Sequence, residues 1–275
     1  MRLELSPGLG GAVTALSCRG VDWLRRTPDE ARDVLQTACF PLVPFANRIA
    51  GGRVAFGDRI ARLPPNLSGT PHPIHGEGWR GAWEVAELEA DRAALVFTGG
   101  LGGWPFRYVA RQEIRLDRRG VTLGLSITNT DDVPAPAGLG FHPYFPEAHR
   151  ARLTAQVDGM WLTDPERLPT RRVTEGLPAD WRRGAAVAAC GLIDNCHTGW
   201  TGEASVELGV THLRLAASPE LAFLQVYTPP GEAWFCVEPV SHRPDALNAA
   251  DPLGEGVRVL APGVTLAVEF RIEQA

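Results

Sequence analysis

Four short stretches bring imidazoles and carboxylates together in patterns suited to proton transfer. His72-Pro-Ile-His75-Gly-Glu77-Gly-Trp79 holds two histidines and a carboxylate in one loop. The glycines beside His75 allow close backbone approach, so His75 reads as ligand-facing. Gly140-Phe-His142-Pro-Tyr144-Phe145-Pro146 sets one imidazole among aromatics and prolines. Desolvation there favours the neutral ring, and a neighbouring carboxylate pulls it back toward the cation. That balance makes a histidine an acid near neutral pH. A hydrogen-bonded core histidine is the plainer alternative. In Phe235-Cys-Val-Glu238 a carboxylate ends an apolar strand, either paired with an arginine or held as a base by a raised pKa. Leu192-Ile-Asp194-Asn-Cys-His197 places an acid after two aliphatics, a position a turn-capping Asp would also take.

Other chemistries are excluded by what is missing. His72, His75 and Glu77 fit no zinc pattern: there is no HExxH and no nearby cysteine pair, so no metal is expected. Nor is there the His-x-His with a following Glu that a metal-dependent cupin would show. All 27 basic residues are arginine, which rules out Schiff-base lysines and a Walker-type phosphate loop. No GxGxxG follows a strand pattern, so no dinucleotide cofactor is expected. The net charge of −5 comes without a basic stripe, which argues against nucleic acid. No stretch is long and apolar enough to span a membrane. The five cysteines are scattered without a CxxC pair and read as free thiols. With no apolar h-region at the start, they point to the cytoplasm.

The elements that must carry these groups are strands. With 275 residues, 44% of them hydrophobic, the chain can bury a large core. Its 30 glycines and 23 prolines are dispersed between apolar runs, which implies many turns and many short strands. Period-two alternation runs through Arg107–Asp117, Val121–Thr128 and Val264–Glu273. Gly57-Asp58 suits a tight turn between Arg53–Phe56 and Arg59–Leu63. Trp83–Leu88 and Ala93–Thr98 form another pair, and Ser205–Val210, His212–Ala216 and Leu221–Thr228 a run of three. Thr27-Pro-Asp-Glu30 reads as a helix start reaching Gln36, or as an ordered turn. Asp164–Trp181 reads as loop with a helical turn. One all-β domain over residues 1–275, a large antiparallel β-sandwich with few short helices, is the expected architecture.

Taken in order, the motifs carry a resemblance. Pro44-Phe-Ala-Asn47-Arg48-Ile49, Pro73-Ile-His75-Gly, Gly140-Phe-His142-Pro-Tyr-Phe, Leu192-Ile-Asp194, and Val237-Glu238 with Pro244-Asp-Ala-Leu-Asn248 together resemble the aldose 1-epimerase (galactose mutarotase) family. The match runs from about residue 40 to 250. It implies a β-supersandwich and a cofactor-free isomerase that opens and recloses an aldose ring to interconvert its anomers. By position, Glu238 matches the general base and His142 the general acid. His75, Arg48 and Asp194 match sugar-binding positions. An aromatic platform is also expected, with Trp79 as the candidate beside Phe141 and Tyr144. Gly-Glu-Gly-Trp after His75, His197 in place of an aromatic, and Pro143 depart from galactose-type members and bear on which sugar is used. A mutarotase for a phosphorylated hexose needs converging arginines, for which Arg48, Arg53, Arg59 and Arg80 are candidates. A non-catalytic sugar-binding protein of this fold is the third possibility. The oligomeric state is not legible in the sequence.

Overall fold

A computed structural model of the chain describes residues 1–100 and 103–275. Among the described residues two large antiparallel sheets dominate. The nine-stranded sheet runs in the order Ala185–Ala186, Ala151–Ala155, Glu203–Leu208, Thr211–Ala217, Thr265–Gln274, Gly120–Asn129, Tyr108–Leu116, Arg92–Gly99, Glu84–Leu88. The eight-stranded sheet runs Pro169–Val173, Gly159–Thr163, Ile193–Thr198, Phe223–Thr228, Trp234–Val240, Gly140–Phe141, Pro41–Leu42, and Tyr144–Pro146 pairs on Trp234–Val240 beside that path. The helical segments are single 3-10 turns. The fold is that of a galactose mutarotase-like β-supersandwich.

Alternation decides which residues meet in the core and which face the site. Phe235, Val237, Leu224 and Val226 of the eight-stranded sheet join Leu123, Val268 and Phe270 of the other sheet in one buried cluster. Phe141 packs on Phe270 across the layers, ring centres 5.8 Å apart. Their neighbours in sequence therefore point the other way. Cys236 and Tyr144 belong to a second buried cluster, with Phe40, Ile74 and Trp79. In register, Glu238 lies opposite Gln225, and Asp194 opposite Tyr227. The site carboxylates thus sit on one face of the sheet, on the two strands that flank Phe223–Thr228.

Several sequence expectations need correction. Thr27–Glu30 starts no helix and is the ordered turn of the alternative reading, with the Ala31 N–H donating to the Pro28 carbonyl at 3.0 Å. A 3-10 turn forms instead at Val34–Gln36, where the Asp33 side chain accepts from the Leu35 N–H and Gln36 reaches back to Asp33. That box satisfies the exposed N–H groups more directly than the Thr27 site could. Glu203–Leu208 and Thr211–Ala217 pair as expected, but Phe223–Thr228 crosses to the other sheet. Its two faces serve the core and the site, a role that alternation alone does not assign to a sheet. The stretch read as loop, Asp164–Trp181, contains the edge strand Pro169–Val173. Glu238 lies inside its strand, Trp234–Val240, and not at the end.

Candidate active site

A cleft of about 290 Å³ opens on the outer face of the eight-stranded sheet. Its polar lining is Asn47, Arg48, His75, His142, Asp194 and Glu238. Its apolar lining is Leu35, Leu67, Ile74, Tyr144, Tyr227 and Trp234. Five of the six sequence-selected residues therefore line one cavity, drawn from positions up to 190 residues apart.

Glu238 and His142 form the buried end of the cleft. Both are nearly inaccessible, at 3% and 6% exposure, and His142 Nε2 stands 3.4 Å from Glu238 Oε1. Burial pushes Glu238 well above the usual carboxylate range, and the nearby Asp194 charge adds to this while Arg48 opposes it. Burial pushes His142 down to about 3, with the Arg25 cation acting in the same direction. Both groups are thus driven toward their neutral forms. The His142 ring lies close to Phe40 and Tyr144, with centroids 4.6 and 4.7 Å away and planes tilted by 27° and 22°.

His75 is held in a defined tautomer. The Asn47 N–H donates to its Nδ1 at 3.1 Å, and the His75 N–H donates to the Asn47 carbonyl at 3.0 Å. With Nδ1 accepting, the ring proton of the neutral imidazole sits on Nε2. Burial first, then His142 and Arg48, keep His75 far below its usual titration range. His75 and Asn47 both adopt positive φ, 63° and 56°, an uncommon conformation that here serves a binding loop. Asp245 braces the same loop: its side chain accepts from the Ala50 N–H at 2.8 Å and its own N–H donates to the Arg48 carbonyl at 2.8 Å.

Asp194 is a strand residue and not a turn cap. It accepts from the Gln225 amide at 2.7 Å, and the guanidinium groups of Arg48 and Arg167 each lie 3.9 Å from its Oδ2. At that separation neither arginine is hydrogen-bonded to the carboxylate, although Arg48 Nη1 donates to Asn47 Oδ1 at 3.2 Å. Arg53, Arg59 and Arg80 do not join them. Arg59 is held by Asp131, and Arg80 lies over the Trp79 ring.

Trp79 does not line the cleft. It is fully buried behind His75, edge to face at 5.5 Å, so no sugar ring can lie on it. Phe141 faces the inter-sheet core. The accessible aromatic wall is Tyr227 and Trp234 beside Tyr144, with Tyr144 and Trp234 centred 4.9 Å apart. The sequence held a signal for this: Trp234, Cys236 and Glu238 share one strand face, as do Gln225 and Tyr227.

His72, His197 and His242 have partners away from the cleft. His197 accepts from the Trp181 indole and faces the Leu224 carbonyl, and His242 accepts from the Ala46 N–H and faces the Arg243 carbonyl. His72 accepts from the Gly51 N–H and contacts Glu166 at 3.1 Å. Glu77 takes the Gly100 and Trp104 N–H groups and the Tyr108 hydroxyl, which clamps a neighbouring loop. The His72, His75 and Glu77 trio therefore does not converge. Among the described residues the group of metal-ligand types that does is His142, Cys236 and Glu238, within 4.8 Å of one another. A metal there would take the lone pairs that proton transfer needs.

The antiparallel supersandwich, with a buried Glu/His pair at the end of a small cleft, defines a galactose mutarotase-like class of protein. The chain belongs to the aldose 1-epimerase family, whose model matches residues 6–273. It is 33% identical over 284 residues to the uncharacterized protein YphB of Escherichia coli K12, covering 98% of this chain and 96% of that one. A second uncharacterized protein of the same organism, YihR, is 29% identical over 224 residues, covering 76% of this chain and 71% of that one. A solved structure from Escherichia coli K12 with a provisional assignment as an aldose 1-epimerase superposes with a TM-score of 0.91 at 28% identity, over 99% of this chain and 95% of that one. A galactose mutarotase-like protein from Clostridium acetobutylicum shares the fold with a TM-score of 0.86 at 21% identity, over 99% and 92%.

Proposed function

We propose that this protein is a cofactor-free aldose 1-epimerase that interconverts the α and β anomers of a monosaccharide. The observation that carries the reading is the buried Glu238–His142 pair, 3.4 Å apart at the end of a cleft whose other polar groups are sugar-hydroxyl partners. Ring opening removes a proton from the anomeric hydroxyl and delivers one to the ring oxygen. Glu238 takes the first as C1–O1 becomes a carbonyl. The C1–O5 bond breaks, its electron pair goes to O5, and His142 protonates that oxygen. Rotation about C1–C2 presents the other carbonyl face. Closure runs the same transfers backward and returns the pair to its starting state.

A pair holding one proton matches this requirement. With that proton on His142, Glu238 is the base, and the adjacent Arg48 charge favours the carboxylate. Each transfer is worth on the order of 10²–10⁴-fold. His75 offers its Nε2–H near the reacting oxygens. Arg48, Asn47 and Asp194 suit the hydroxyls, and Tyr227 and Trp234 suit the apolar face of the ring. A cleft of 290 Å³ lies at the small end of ligand pockets, which fits a single sugar better than an oligosaccharide.

A second reading, a phosphorylated or otherwise anionic aldose, is favoured by one observation. Arg48 and Arg167 converge on a single carboxylate without hydrogen-bonding it. We also infer that residues 1–275 act as one domain, because one core cluster draws on both large sheets. No helix among the described residues is long and apolar enough to cross a membrane.

Anomer exchange measured by saturation-transfer NMR tests the proposal. The panel is glucose, galactose, rarer aldoses and glucose 6-phosphate. Acceleration on free sugars supports the leading reading, and acceleration on the phosphate alone supports the second. No acceleration on any, with the protein folded, refutes catalysis on this panel and favours a binding role.

A further inference from the structure

Arg25 was not singled out by any motif, and it does not line the cleft. It is nonetheless built tightly against the cleft wall. Its N–H donates to the Tyr144 carbonyl at 2.7 Å, and its Nη2 donates to the Leu35 and Thr37 carbonyls at 2.6 Å each. Its guanidinium carbon lies 3.8 Å above the Tyr144 ring centre and 4.9 Å from the Trp234 ring. The His142 imidazole is stacked on the same Tyr144 ring at 4.7 Å. Two groups this close to one ring centre would overlap if they shared a face. Arg25 and His142 therefore lie on opposite faces, with Tyr144 between them.

We propose that Arg25 is a positioning residue for His142, acting through the Tyr144 ring that separates them. The inference rests on the acid–base reading of the Glu238–His142 pair. Two effects follow from the geometry. First, the cation attracts the electron-rich face of Tyr144 and fixes its tilt. The imidazole, which has no hydrogen bond at Nδ1, is oriented by its ring contacts and by its approach to Glu238. Second, a permanent charge stands behind the ring and makes its imidazolium a readier proton donor. The two stacking distances place that charge within about 8.5 Å of the imidazole centre, where an effective dielectric near 20 moves a titration by about 1.4 pH units.

Other titratable groups around His142 do not supply this effect. Cys39, Cys236 and Tyr144 are held protonated by burial, and His75 is held neutral. Arg48 bears on Glu238 and His75. Arg25 is the fixed charge that bears on His142.

The test uses Arg25→Met, Arg25→Gln and Arg25→Lys in the full chain. Arg25→Met keeps the aliphatic stem. Arg25→Gln keeps donors for the Leu35 and Thr37 carbonyls and carries the test if the Met variant does not fold. The readouts are the pH profile of anomer exchange and the titration of the His142 ring proton by NMR, assigned through its loss in His142→Asn. In both neutral variants the pair's profile and the imidazole titration should move to higher pH, by about 1.4 units. The rate constant should fall about fivefold, the cost of a donor weaker by about 1.4 units, with KM within about twofold. Arg25→Lys should stay close to wild type in pH profile. Unmoved profiles and titrations in a folded neutral variant, even with a slower rate, would overturn the proposal, since they would leave Arg25 a merely structural residue. The same holds if Arg25→Lys shifts as far as Arg25→Met. Should the wild type prove inactive on every sugar, the acid–base reading fails by itself, and the imidazole titration still decides the Arg25 coupling.

Discussion

Replacing Glu238 with glutamine removes the base while preserving shape, and it should produce two opposite effects. The amide of Glu238→Gln can still donate to His142 Nε2 across the 3.4 Å gap, so packing is retained. Anomer exchange should fall on the order of 10²–10⁴-fold, the usual worth of a positioned base. Stability should change the other way. Burial raises the folded-state pKa of Glu238, so this carboxyl favours the fold at low pH and loses that advantage as pH rises. From the unfolded value near ~4.3 up to its raised folded value, the folded state binds a proton that the unfolded chain has released. Each pH unit of that window costs the fold ~1.4 kcal/mol. The glutamine variant carries no such cost. Urea denaturation of both proteins from about pH 5 to 8 isolates the difference, because the histidines common to both cancel. The variant should gain on wild type with a slope of up to ~1.4 kcal/mol per pH unit, levelling off where Glu238 ionises. Parallel stability profiles would refute the claim that the fold holds this carboxyl protonated. Near-normal exchange would remove Glu238 as the base.

Three further outcomes are expected. His142→Asn should lower the rate constant on the order of 10²-fold or more with little change in KM, because its contact strengthens only as the ring opens; weaker binding at an unchanged rate constant would contradict the acid role. Trp234→Leu should raise KM about three- to tenfold, the worth of ~0.5–1.5 kcal/mol of aromatic contact, while a Trp79 variant should act through stability; sugar titrations and thermal melts separate the two. Dialysis against a chelator should leave the rate unchanged, and a loss restored by a divalent ion would place a metal on His142, Cys236 and Glu238.

Sequence alone determined the residue types, the strand periodicity and the order of the motifs. Those suffice for an antiparallel sandwich, because period-two alternation and turn glycines are local properties, while the choice of His75, His142, Asp194, Glu238 and Arg48 together rests on the resemblance of the ordered motifs to the aldose 1-epimerase family. Tertiary structure decided what faces what. Trp79 and Trp234 are both aromatic residues near a motif, yet one lies behind His75 and the other lines the cleft. That difference depends on which sheet face each loop covers. Phe223–Thr228 could be assigned to its sheet only once its partners were known, and Arg25 and Arg167 reach the site from loops with no motif of their own. The pair itself is the clearest case. Glu238 and His142 are ordinary in isolation, and it is common burial at 3.4 Å that drives both toward their neutral forms.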